Sequence, residues 1–168
     1  MILSKPFRSS AAIVAGVLAM TTATAIPAMA QYRQHIGNDM ATCDSGSGPA
    51  VRVTVTGIRA AAGNLRVQSY RGTAADWLQK GRWLSRIAVP ARRGSMAFCV
   101  PVPAAGTYAI AVRHDQDGDG STDISGDGGG MSNNPSINIF NLGKPGVRST
   151  AFQVGNEVRA ITITMRYM

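Results

Sequence analysis

The chain has 168 residues and a formal net charge of +8, from 17 Lys and Arg against 9 Asp and Glu. That length suits one domain with a real core and is short for two. The basic residues are mostly arginines scattered along the chain without a nucleic-acid recognition motif, so the charge favours polyanions at a cell envelope over DNA or RNA.

The first thirty residues read as a targeting segment. Lys5 and Arg8 give a positive start, residues 11–20 are apolar, Pro27 ends any helix, and Ala28-Met29-Ala30 supplies the small-x-small pattern that signal peptidase reads. Cleavage is expected after Ala30. A retained membrane anchor is the competing reading, but Thr22, Thr24 and Pro27 dilute an already short apolar run, and no second stretch reaches spanning length. The expected product is periplasmic or secreted and not an integral membrane protein. Cys43 and Cys99 are the only two cysteines. Export places them in an oxidising compartment, where an even pair reads as one disulfide. Two free thiols with metal or redox roles are the alternative, which no C-x-x-C spacing supports.

Residues 31–50 are polar, rich in Gly and Ser near their end, and without periodicity; they read as an arm that the disulfide ties to the domain beginning at Val51. Val51, Val53 and Val55 alternate with Arg52, Thr54 and Thr56, the period-two mark of a strand with one buried face. After a turn at Ala62-Gly63-Asn64, Leu65, Val67 and Ser69 face one way and Arg66, Gln68 and Tyr70 the other, so a hairpin is expected. Thr73 and Asp76 form a capping pattern ahead of Gly81, which predicts one short helix over residues 73–80. Strand patterning returns at Trp83, Ser85, Ile87 and Val89, and again at Met96, Phe98 and Val100, with Cys99 pointing away from the core. Tyr108 follows a Pro/Gly-rich corner, where a phenol closes the corner in Ig-like sandwiches; a plain strand-edge tyrosine is the simpler reading. Ile110 and Val112 continue that strand. Phe152 and Val154, then Ile161, Ile163, Met165 and Tyr167, supply the last ones. The sum is an all-β chain: a sandwich of about seven strands, Ig-like or prealbumin-like, with one short helix and a long acidic, Gly/Asn-rich loop.

The chemically specific stretch is residues 114–123. Asp115, Asp117 and Asp119 stand at positions 1, 3 and 5 of a calcium loop, Gly120 at the sharp turn of position 6, Ser121 at the backbone-carbonyl position 7, and Asp123 at position 9. Alternate residues of such a turn converge on one point and offer a hard cation an all-oxygen shell. Five of the nine acidic residues fall between Asp115 and Asp127. Two carboxylates about 4 Å apart repel by roughly 1 kcal/mol even in water. Arg113 offsets part of that repulsion, and a divalent cation would offset more. The pattern departs from an EF-hand, because position 12 is Gly126, with Asp127 next, and a strand precedes the loop. Calcium is the expected cofactor, held by Asp115, Asp117, Asp119, Ser121, Asp123 and Asp127 in a site of modest affinity. A solvated acidic turn without metal is the simpler alternative. Residues 124–148 show little periodicity, and Asn133 and Asn134 are candidates to complete the shell or line a groove.

The combination of Gly63-Asn64-Leu65-Arg66-Val67, Ile87-Ala88-Val89-Pro90, Gly106-Thr107-Tyr108-Ala109-Ile110-Ala111-Val112, His114-Asp115 and Ser132-Asn133-Asn134-Pro135 resembles the bacterial exported proteins called domain of unknown function 2141. The resemblance covers roughly residues 51–167. It implies export and a β-sandwich, and it implies no reaction. Aspartate stands here at several loop positions where that family usually has Asn or Lys.

His114 beside the carboxylates is a candidate general base or ligand, weighed against a role in buttressing the turn. No nucleophile elbow occurs, and Glu157 is the only glutamate. Trp77, Trp83 and Tyr70 form a candidate sugar platform, against the commoner role of such rings in packing. Three functions follow from these features. The first is a non-catalytic envelope module whose calcium loop presents a surface to an envelope protein or ligand. The second is a metal-assisted hydrolase using His114, and the third a glycan or polyanion binder.

Overall fold

The computed structural model describes residues 31–46, 48–121, 126–136 and 143–167, so the export segment lies outside the described residues. In chain order they form β1 (Gln34–His35), α1 (Met40–Asp44), β2 (Ala50–Ile58), β3 (Asn64–Arg71), β4 (Ser85–Pro90), β5 (Gly94–Pro101), β6 (Gly106–Asp115), β7 (Gly128–Met131), α2 (Val147–Thr150), β8 (Phe152–Val154), β9 (Val158–Thr164) and β10 (Arg166–Tyr167). Two sheets result. The larger runs β1-β4-β3-β6-β7-β10, with β8 also on β6, and the smaller runs β5-β2-β9. The chain is all-β and sandwich-like, as its alternating patterns predict.

The buried alternate residues of each strand meet between the layers. Val51, Val53 and Val55 of β2, Phe98 and Val100 of β5 and Ile163 of β9 pack against Leu65, Val67, Ile87, Ile110 and Val112 of the larger sheet, all nearly or wholly buried. Burial of such side chains contributes roughly 1.5–3 kcal/mol each, which makes this seam the main source of cohesion. Tyr108 Oη donates to the carbonyl of Ala104 at 2.8 Å, so the tyrosine corner is present. The seven patterned strands are all found. β1 and β7 are additions that pattern alone did not announce, and the last patterned run divides into β9 in the smaller sheet and β10 in the larger.

Two expectations are corrected, and on a third point the commoner packing role of the aromatic rings is met. First, β2 and β3 do not form a hairpin. β2 pairs antiparallel with β5 and parallel with β9, whereas β3 pairs with β4 and β6. The turn at Gly63 carries the chain from one layer to the other. A Cβ at Gly63 would fall 1.8 Å from the Asp115 carbonyl oxygen, and its φ is +61°, so the crossing needs glycine. Second, residues 73–80 form a series of turns and not a helix. Thr73 does bond Asp76 through its hydroxyl, and its carbonyl accepts from Trp77 N–H at 2.9 Å. Leu78, at φ +55°, then turns the chain out of helical geometry. Third, Tyr70, Trp77 and Trp83 are buried. They form a second apolar cluster with Ala109 and Met131 on the far face of the larger sheet, and Trp77 Nε1 donates to the Pro145 carbonyl at 2.7 Å. Rings used this way offer no stacking platform.

The arm bridges both layers. β1 adds a parallel strand to β4. Asn38 then donates to the Ala97 carbonyl and accepts from Cys99 N–H on β5. Asp39 caps α1 by accepting from Ala41 N–H at 3.0 Å, and Cys43 in that helix is joined to Cys99 by a disulfide with a Cα–Cα distance of 5.7 Å. The bond lies outside the main core in a small cluster with Ala50, as the outward pointing of Cys99 requires.

Candidate metal centre

The acidic loop leaves the end of β6, where alternation decides what each side chain can reach. His114 points inward and is fully buried. Its Nδ1 lies 2.7 Å from Tyr167 Oη and its Nε2 2.8 Å from the Ala62 carbonyl oxygen. A carbonyl only accepts, so Nε2 carries the proton and Nδ1 accepts from the phenol. The phenol oxygen in turn accepts from Arg59 N–H at 3.1 Å, and the Arg59 guanidinium lies over the Tyr167 ring. Both ring nitrogens are thus engaged in joining β6, β10 and the crossing turn. His114 buttresses the turn.

Asp115 points to the opposite face. One carboxylate oxygen accepts from Gly118 N–H and the other from Gly120 N–H, each at 3.1 Å. These two bonds curl residues 115–120 into a tight loop, with Gly118 and Gly120 at φ +76° and +81°. Arg113, two residues back on the same face, forms an ion pair with Asp115 at 2.7 Å, which supplies the counter-charge expected of it. Asp127, just before β7, accepts from Gln116 N–H at 3.1 Å and is brought alongside. A bond from the Gln116 side chain to the Gly126 carbonyl reinforces that closure.

The outcome is a cluster of Asp115, Asp117 and Asp127, whose ligand oxygens lie within 4.8 Å of one another. Asp115 and Asp127 are nearly buried, and Asp117 is exposed. Each pair at such a separation repels by about 1 kcal/mol in water and by more where water is excluded. The pair with Arg113 offsets one charge of the three. All donors are carboxylate oxygens, and this chemistry suits Ca²⁺, which takes six to eight oxygens in irregular geometry.

Of the remaining expected ligands, Asp119 and Ser121 bond each other and Asp123 is not among the described residues. Asp119 turns to Ser121, accepting from its N–H and its hydroxyl, both at 2.7 Å. Those bonds hold the exposed Asp119 carboxyl below the usual carboxylate range. Asn133 and Asn134 are structural: the amide of Asn133 donates to the Ala151 carbonyl, and Asn134 donates to the Thr162 carbonyl while accepting from Thr164 N–H. Ser132, fully buried, accepts from Ile110 N–H and donates to the Thr150 carbonyl. Their work is to fasten the chain after β7 to β6, α2 and β9.

Among the described residues no helix is long and apolar enough to cross a membrane. Residues 53–162 match the model of a family described as "Uncharacterized protein conserved in bacteria (DUF2141)". No curated protein and no solved structure gives a significant match.

Proposed function

This chain belongs to the uncharacterised bacterial family DUF2141, and we propose that it is an exported, non-catalytic β-sandwich module that binds calcium between β6 and β7. The convergence of Asp115, Asp117 and Asp127 carries this reading: residues up to twelve positions apart are brought together with one arginine against three carboxylates. The Cys43–Cys99 disulfide supports the exported location, since such bonds persist in oxidising compartments. Calcium would tie the end of β6 to the start of β7 and so set the surface that the intervening loop presents to an envelope partner or ligand. Bound metal removes the mutual repulsion of the carboxylates, so it stabilises the folded chain by mass action.

The test compares melting temperatures in chelator and in millimolar calcium. Wild type is expected to melt higher with calcium. Asp127→Asn and Asp117→Asn should lose that increment while melting in chelator at or above the wild type, because each removes a repelling charge. Asp119→Asn should keep at least part of it, its carboxylate being engaged with Ser121. A calcium increment unchanged in Asp127→Asn would end the proposal as framed.

A further inference from the structure

The outer face of the larger sheet carries a row of arginines, of which Arg113 pairs with Asp115 and Arg86 lies over the Trp83 ring at 4.2 Å. Register places Arg66 of β3 directly opposite Arg113 of β6, Arg113 opposite Gly129 of β7, and Gly129 opposite Arg166 of β10. One step along, Arg86 of β4 sits opposite Gln68 of β3 on the same face. Like charges directly opposite on neighbouring strands destabilise a sheet, and this arrangement also half-buries them. The Nε atoms of Arg66 and Arg86 are buried without a hydrogen-bond partner among the described residues. Burial, with the neighbouring guanidinium groups, weakens the hold of Arg66 on its proton, though not enough to discharge it. Asp115 is paired with Arg113, and Asp117 and Asp127 stand beside it. Arg66, Arg86, Arg113 and the exposed Arg166 outnumber the neighbouring Asp115, Asp117 and Asp127 by one charge.

Gly129 lies in the middle of this row. Its neighbours need to be glycine: a Cβ at Gly128 would meet the Tyr167 ring at 2.4 Å, and one at Gly130 would meet Ile163 at 2.7 Å. At Gly129 a Cβ would meet nothing within 4 Å, and φ is not positive there. Packing does not require this glycine. Its effect is to leave the floor open between Arg113 and Arg166. Guanidinium forks match tetrahedral oxyanions through paired N–H donors, a geometry that suits a phosphate better than a planar carboxylate alone.

We propose that this face binds a phosphate group, free or as a monoester, over Gly129 and between Arg66, Arg113 and Arg166, with Arg86 flanking. The site does not depend on calcium, and its test is run in chelator. The chain from Gln31 onward is titrated with inorganic phosphate, with phenyl phosphate and with acetate, following arginine Nε–H and Gly129 amide signals by NMR. Saturable shifts with phosphate, at lower concentration than with acetate, are expected. A preference for phenyl phosphate would identify a phosphomonoester as the ligand, and a preference for the inorganic ion would identify free phosphate; either supports the site. Arg66→Met keeps the apolar stem and removes the charge, and should weaken binding roughly ten- to hundredfold. It should also melt no lower than wild type, because it removes a like-charge pair. Gly129→Leu, which needs no backbone change, should weaken binding comparably by filling the floor. Absence of a saturable response up to about 10 mM phosphate, or binding undiminished in both variants, overturns the proposal.

Discussion

Replacing Tyr167 with Phe isolates one hydroxyl group whose loss can be costed from the structure. The ring position is preserved, because it lies against Gly128, which has no side chain to displace it. What disappears is the donor to His114 Nδ1 at 2.7 Å and the acceptor for Arg59 N–H at 3.1 Å. The Arg59 amide is exposed and water can replace its partner, so that half costs little. His114 is fully buried. Its Nε2 proton is committed to the Ala62 carbonyl, so shifting the proton to Nδ1 would leave both ring nitrogens without a partner. A buried acceptor left without a donor costs about 1–3 kcal/mol, and a middle value near 2 kcal/mol corresponds to a melting-point loss of roughly 4–8 °C for a domain of this size. Urea denaturation with matched m-values measures the first number and calorimetric melting the second. A loss below about 0.5 kcal/mol would mean that His114 is satisfied by some other donor and that the β6–β10 link is not as described. Calcium response should survive the change, because Asp115 faces the other side of β6.

Reduction of Cys43–Cys99, which closes a loop with a sequence separation of 56, should lower unfolding stability by up to about 4 kcal/mol on the chain-entropy argument; equal urea midpoints with and without reductant would contradict it. Gly63→Ala should cost at least about 2 kcal/mol, since its Cβ meets the Asp115 carbonyl and its φ is positive; a circular-dichroism melt matching wild type would refute the crossing turn. Burial pushes the phenols of Tyr70 and Tyr167 above their ordinary value. A phenol raised in this way contributes stability that is complete below about pH 10 and is lost as pH rises through the folded value. Tyr70 and Tyr167 should therefore ionise late in an absorbance titration, together with alkaline unfolding, and their ionisation near the ordinary phenol value of about 10 in the folded protein would be the opposing result.

The elements legible in the sequence are those whose side chains report a face. Val51, Val53 and Val55 alternate because one side of β2 meets the other layer, and Tyr108, Ile110 and Val112 do the same on β6. β7 was unreadable for the opposite reason. Its Gly128-Gly129-Gly130 carries no apolar signal, and two of those glycines are there because Tyr167 and Ile163 occupy the space. Pairing was misread where it depends on distant segments: nothing local at Val51 says that β9, a hundred residues on, lies parallel beside it. The turns at residues 73–80 carry genuine capping residues, and tertiary burial of Trp77 overrode them. In the acidic loop, spacing alone lists the carboxylates in order, and backbone bonds decide which of them stand together. Gly118 and Gly120 N–H fix Asp115, Gln116 N–H fetches Asp127, and Ser121 takes Asp119. A one-dimensional template has no means to see that selection.

Calorimetric titration of calcium into the chelator-stripped chain from Gln31 onward, beside its Asp127→Asn variant, tests the central claim most directly. The account predicts saturable one-site binding by wild type, with a melting point raised by roughly 3–6 °C at ten times the dissociation constant, and loss of both in the variant. No heat and no shift at millimolar calcium would make Asp115, Asp117 and Asp127 a solvated turn held by its own backbone.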